Sequence, residues 1–432
     1  MPSQESLGER IRNLRLRKNM SQAQLAWPEL SDSYVSLIES GKRTPAPSMV
    51  ALLARKLECS AAYLTTGVTE EAMTGLQETL RYAQIALQNG AADEARTCFA
   101  EVLAHPALTD LPALAHEARW GHALALEATG SLEEAIAELN RAAELTSPQA
   151  DPDRWAELHT ALSRCHRERG DLANGIMVGE NALKRLAEAG GQWSDAMVML
   201  GATILASHND RGDLAYANQF AQTLIDRAEV IGSPRALMAA YWNAAFTAEA
   251  RGEFKAALKL AERAIALLGE ENDPRNLSRL RVACAIFLLA AHPERAERAE
   301  EVLLQAEREM EASSASTVDM AWCLTIQARA KLALGRPVDA AALARRATEL
   351  LQNTAGIAIA NAYTVLGEAC ARLGRREEAV IALSQAVDYL EKMEAHRPAA
   401  RTWFDLAELL GAAGQSDGQK AAFQRALSCM DL

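Results

Sequence analysis

Residues 30–45 read LSDSYVSLIESGKRTP: short polar side chains open a brief apolar helix, and a Lys-Arg pair stands just past the glycine that ends it. Small polar side chains can exchange hydrogen bonds with base edges, and Lys and Arg neutralise phosphates. The charge distribution fits that chemistry. Residues 1–67 hold nine Lys/Arg and six Asp/Glu, a net of +3, in a chain whose formal charge is -12. A basic head on an acidic body confines any nucleic-acid contact to the head.

Other chemistry is poorly supported. His159 and His166 share a helical face beside Cys165, but no further ligand stands at a suitable spacing, so no metal is expected. Neither a glycine-rich phosphate loop nor a nucleophile motif is present. The expectation is no enzyme and no cofactor.

The elements that position the polar tip are short helices. Leu7, Ile11 and Leu14 form one stripe of a first helix. Ser21 caps a second, SQAQLA, which Pro28 ends. Ser31 caps a third, with Val35 and Ile38 inward, and Gly41 stops it in the left-handed conformation. Pro45 and Pro47 lead into a fourth from Ser48, and SAAYL gives a fifth before Gly67. Two helices on a tight turn, the second polar-tipped, form a helix-turn-helix pattern.

In residue types and spacing, SQAQLA followed by SDSYVSLIESGKRTP resembles the Xre/phage-repressor type of DNA-binding domain over residues 5–66, with a turn, WPEL, about one residue shorter than usual. The resemblance implies that the DNA-facing set is Gln22, Ser31, Asp32, Ser33, Tyr34, Ser36, Leu37, Lys42 and Arg43. Asp32 and Ser33 match positions that reach base edges, and Leu37 one that can touch a thymine methyl. Gln22 matches a phosphate contact at a helix N-terminus, and Lys42 and Arg43 lie in a loop that follows the backbone. Asp32 either accepts from a cytosine amino group or caps the helix. Arg15 and Glu39 match an internal ion pair.

Beyond residue 70 the chain repeats. Gly90, Gly130, Gly170, Gly212, Gly252, Gly335, Gly374 and Gly414 recur at about 40-residue steps, with the missing beat placed at Ala291. Small residues recur five after and seven before the beats, where two antiparallel helices must approach closely, with Gln419 and Leu205 as the exceptions. Pro112, Pro152, Pro234 and Pro274 open helices at the first position, with Asp151, Ser233 and Asp273 as N-caps. The pattern resembles the tetratricopeptide repeat (TPR), stretched by about six residues. The expected fold is all-α: a five-helix lambda-repressor-like head over 1–67, a linker over 68–76, and a right-handed α-solenoid of about nine TPR-like helix pairs over 77–432 that senses a ligand and dimerises.

In such repeats the first helix of each pair lines the groove. Positions 10, 9, 6 and 3 before each glycine place Arg164, Arg167, Asn209, Trp242, Asn243, Phe246, Arg281 and Arg329 there. Asparagine can bond both groups of a peptide backbone, and arginine suits a carboxylate. The set points to a short peptide or small acidic ligand. The competing reading pairs these arginines with groove acids such as Glu127, Glu249 and Glu368.

The seven cysteines are odd in number and form no Cys-x-x-Cys pair, which points to reduced thiols in a cytoplasmic protein. No long apolar run suggests a membrane span. Head and solenoid together resemble the peptide-pheromone receptor regulators of Gram-positive bacteria (RRNPP-type). That resemblance implies quorum-sensing transcription regulation by a cytoplasmic homodimer on double-stranded DNA with a near-palindromic operator. Two alternatives stay open: a scaffold that sequesters a protein partner, and a ligand-independent repressor whose repeats only dimerise.

Overall fold

In the computed structural model, residues 6–271, 274–312, 316–352, 356–392 and 397–430 are described. Among them every regular element is helical. The chain divides into two compact units, Met1–Ala142 and Ala143–Leu432.

The first unit begins with α1 (Leu7–Arg17), α2 (Gln22–Ala26), α3 (Asp32–Glu39), α4 (Pro47–Leu57) and α5 (Ala61–Thr66). Side chains fix where the first three start. Ser6 and Glu9 form a reciprocal capping box on α1, and Ser21 and Gln24 another on α2. Ser31 Oγ accepts from the Tyr34 N–H at 3.2 Å on α3. The fourth helix begins one residue earlier than Ser48, because the fixed φ of Pro47 suits the first helical position.

Ile11, Leu25, Val35, Ile38, Leu53, Leu57 and Leu64 close the head's core, each almost wholly buried. Each such side chain contributes roughly 1.5–3 kcal/mol by leaving water. α1 can reach α3 only because residue 8 is glycine: a Cβ there would stand 2.3 Å from the Ile38 carbonyl oxygen. The expected Arg15–Glu39 pair is present. Arg15 Nε and Nη2 donate to the two Glu39 oxygens at 2.6 and 2.9 Å.

Four further helices complete this unit: α6 (Glu70–Gln88), α7 (Ala92–Ala104), α8 (Pro112–Ala128) and α9 (Leu132–Glu144). α6 occupies most of the segment expected as a linker, and Thr69 caps it by accepting from the Ala72 N–H.

The second unit continues in helix pairs: α10 (Pro152–Glu168) with α11 (Leu172–Glu188), α12 (Asp195–Arg211) with α13 (Leu214–Ile231), and α14 (Pro234–Ala250) with α15 (Phe254–Glu271). Then come α16 (Pro274–Ala291) with α17 (Ala296–Glu311), α18 (Thr317–Ala333) with α19 (Pro337–Leu350), α20 (Ile357–Arg372) with α21 (Arg376–Glu391), and α22 (Arg397–Ala412) with α23 (Ser416–Ser428). Among the described residues, nine pairs, α6 to α23, thus follow the head.

Each expected repeat glycine has positive φ, between 70° and 92°. At Gly252 the bend is a Schellman motif: Gly252 N–H bonds the Glu249 carbonyl, and Glu253 N–H the Ala248 carbonyl, both at 2.8 Å. The small residues that flank the bends are buried, as close approach of the paired helices requires; Ala95, Ala135, Ala217, Ala257 and Ala340 are all inaccessible. Asp151 and Ser233 cap their helices as expected; Asp273 lies outside the described residues. All seven cysteines are free thiols.

Candidate functional site

The head presents one edge of α3. Ser31, Asp32, Ser33, Ser36 and Leu37 are exposed, while Val35 and Ile38 anchor the opposite side. Asp32 Oδ1 accepts from the Ser33 N–H at 2.8 Å, so the carboxylate is engaged in the first turn. Tyr34 is half-buried, with the Arg43 guanidinium 4.8 Å from its ring centre. A Schellman motif ends the helix: Gly41 N–H bonds the Ile38 carbonyl at 3.0 Å, and Lys42 N–H the Leu37 carbonyl at 2.9 Å. That bend carries Lys42 and Arg43, both exposed, past the C-terminal end of α3.

Gln22 stands at the first position of α2. Its amide donates to Glu39 Oε2 at 2.8 Å, the oxygen that Arg15 also holds. Burial opposes charge on Glu39, but Arg15 and Gln22 outweigh it and hold its carboxyl below the ordinary range. α1, α2 and α3 are therefore locked together behind the exposed edge.

In the second unit two adjoining chambers open between first helices of the pairs. One has a volume of about 720 Å³ and reaches from α14 to α22. The other, about 990 Å³, is lined from α10, α12, α14, α22 and α23. Trp242, Phe246, Glu249, Arg401 and Asp405 belong to both. The walls are largely apolar, with Ile286, Phe287, Trp322 and Ile326 in the first chamber.

Six of the eight groove residues expected from the sequence come together here. Arg167, Asn209, Trp242, Asn243 and Phe246 line the larger chamber, and Trp242, Phe246 and Arg329 the smaller. Asn209 Nδ2 donates to Thr247 Oγ1 at 3.0 Å, and Asn243 Nδ2 to the Ala239 carbonyl of its own helix at 3.0 Å. Asn209 Oδ1 and Arg329 Nε are buried with no hydrogen-bond partner.

Two residues fall elsewhere. Arg164 is half-buried on α10 and lines neither chamber. Arg281 points toward α17, where its Nε donates to Glu309 at 3.0 and 3.1 Å. The cause is a register slip of one residue. α16 starts at Pro274, 40 residues after the Pro234 that starts α14, so the missing glycine falls at His292 rather than Ala291. One residue is about 100° of helical rotation, and it brings Arg279, Val282, Ala283 and Ile286 inward instead.

The inward stripe is also one turn longer than those four positions. Position 13 before the beat lies on the same face and gives Arg279, Trp322, Asn361 and Arg401, all in the smaller chamber. Ionic contacts link these helices. Arg279 Nε and Nη2 each stand 2.8 Å from the Asp319 carboxylate. Burial opposes charge on Asp319, but Arg279 and then Ser316 hold it below its ordinary value. Arg401 reaches Glu249 at 3.1 Å, and Arg329 reaches Asp405 at 3.2 Å, so α22 is tied to both α14 and α18.

Residues 11–64 match the helix-turn-helix family, and residues 360–389 the tetratricopeptide repeat. The chain thus carries a helix-turn-helix head of the Xre type and TPR-type repeats. No curated protein sequence matches it. A Rap protein solved in complex with competence and sporulation factor is 10% identical, at a TM-score of 0.53 over 83% of this chain and 98% of that one. The apo form of RapI is 11% identical, at 0.52 over 82% and 97%. PlcR from Bacillus thuringiensis, solved with a peptide and DNA, is 17% identical, at 0.35 over 62% and 98%, a score too low to carry an argument. The first two show a shared fold of helical repeats. Among the described residues no helix is long and apolar enough to cross a membrane.

Proposed function

We propose that the chain is a DNA-binding transcription regulator whose repeats sense a short peptide or other small ligand. The observation that carries the reading is the exposed edge of α3, held rigid by buried neighbours, in a chain that also encloses ligand-sized chambers. Pockets of about 300–1,000 Å³ are the usual size for small ligands. The fold likeness to a Rap protein solved with competence and sporulation factor bound adds support.

In this reading Ser31, Asp32, Ser33, Ser36 and Leu37 face the bases. Gln22, Tyr34, Lys42 and Arg43 serve the backbone and the position of the helix. The head acts in a homodimer on a near-palindromic operator, with half-sites about 34–36 Å apart. Arg167, Asn209, Trp242, Asn243, Phe246 and Arg329 hold the ligand.

The ion pairs from α22 to α14 and α18 supply a two-state element. A ligand wedged beside Trp242 and Phe246 favours one arrangement of those pairs, and it must bind the two arrangements with different affinity or nothing shifts. Selection of duplexes from a random pool by the full chain tests the first half of the reading. The expected result is one enriched, near-palindromic sequence. Retention of no duplex even in dilute salt would favour the sequestering scaffold instead.

A further inference from the structure

The charges that line the two chambers balance among the described residues. Arg167 stands 3.8 Å from Asp210, Arg279 2.8 Å from Asp319, and Arg329 3.2 Å from Asp405. Arg372 stands 2.6 Å from Glu368, and Arg401 3.1 Å from Glu249. Those are all the charged lining residues, five cations against five anions. Between the pairs the wall is apolar, with Trp242, Phe246, Ile286, Phe287, Trp322 and Ile326.

A carboxylate entering this space finds no spare cation. To recruit an arginine it must share that guanidinium with an acid already beside it, and two carboxylates at one cation repel each other next to an apolar wall. Burial already pushes the Glu249 carboxyl above its ordinary value despite Arg401 beside it. A ligand ammonium meets the mirror-image obstacle. An apolar group displaces water from tryptophan and phenylalanine faces and breaks no pair. The polar groups free of this constraint are neutral. Asn209 and Asn243 line the larger chamber and can serve a peptide backbone.

We propose that the chambers select a net-neutral, predominantly apolar ligand: a short peptide whose uncharged side chains fill the smaller chamber while its backbone meets the asparagines of the larger. This rests on the sensor reading above and narrows it, replacing the small acidic ligand expected from the arginines. The specificity arises by penalty, because a charged competitor sets a like charge beside pairs that the neutral ligand leaves alone.

The test is a selection of random heptapeptides with capped ends on the full-length chain, with the fluorescence of Nile red, a neutral apolar dye, as a second readout. The expected result is depletion of Asp, Glu, Lys and Arg by about tenfold among retained peptides, with Nile red bound and displaced by them. Asp405→Asn frees Arg329 and is expected to admit peptides bearing one carboxylate; Glu368→Gln, which frees Arg372, repeats the test should Asp405→Asn not fold. Enrichment of acidic peptides on the unaltered chain overturns the charge inference and leaves the peptide reading standing. Dye binding that Trp322→Ala abolishes, with no peptide retained, overturns the peptide reading and supports a neutral apolar occupant. Failure of both peptides and dye overturns both.

Discussion

Arg401 of α22 stands 3.1 Å from Glu249 of α14, although 152 residues separate them in the chain. With Arg329–Asp405 it brings the last helix pair back onto the middle of its own unit. The contact also encloses the chambers, since both residues line each of them.

Arg401→Ala tests how that closure depends on pH. Burial pushes the Glu249 carboxyl up, and Arg401 pulls it down. A carboxyl whose folded pKa is raised opposes folding once ionised, and the opposition is relieved as pH falls through the folded value. Without Arg401 the value rises further. The variant is therefore expected to lose about 1 kcal/mol at pH 7, with a smaller deficit at pH 5, as read from urea midpoints. An equal deficit at both pH values would count against this account.

Glu39 runs the other way. Its folded pKa is depressed, so its contribution is present above the ordinary carboxylate value and lost as pH falls through the folded one. Protection of the α1 and α3 amides in the full chain, relative to the intrinsic exchange rate at each pH, should fall below about pH 4. Glu39→Gln should already be weaker at neutral pH, by roughly 3 kcal/mol, because Arg15 is left without its carboxylate. Its acid dependence should be flatter. Unchanged exchange in the variant would remove the bracing role given to this pair.

Two glycines predict opposite outcomes for the same substitution. Gly8→Ala drives a methyl to 2.3 Å from the Ile38 carbonyl oxygen, a backbone atom that cannot swing aside. Overpacking of this kind costs roughly 1–3 kcal/mol. Gly75 lies in α6 with nothing within 4 Å of an added methyl. There alanine should stabilise by roughly 0.5–1 kcal/mol through its better helix propensity. Urea midpoints of the two variants are the measurement, and a loss in both would refute the distinction.

The helices and bends are legible in the sequence because local rules govern them. Ser31 and Asp151 cap helices through their own oxygens, and Gly252 bends because the left-handed region favours glycine. The direction of a side chain is harder to read, since it depends on the phase of a whole helix. Where His292 stands in place of a glycine, the spacing loses its phase marker and points to Arg281, while the groove holds Arg279. The pairing of Arg401 with Glu249 has no local signal at all. It exists because the helices between them bring α22 round to α14, and no spacing along the chain records that.

The proposed function divides affinity from sequence choice between two sets of head residues, and two sets of variants should show it. Lys42 and Arg43 are exposed beyond the bend at Gly41, and the proposed function gives them phosphate contacts that carry no sequence information. Lys42→Ala/Arg43→Ala should weaken binding to every duplex alike. It should also flatten the log–log salt slope by about 0.9 for each phosphate left without its cation, or about 1.8 per head. Ser33 and Leu37 project from the exposed edge of α3. Ser33→Ala and Leu37→Ala should leave the salt slope unchanged and relax preference at single base pairs, each by about 1–3 kcal/mol. Fluorescence anisotropy over a salt series, on the selected duplex and on its point mutants, reads both effects. A Leu37 variant with an altered slope, or a Lys42/Arg43 variant with altered base preference, would show that the two roles belong to other residues.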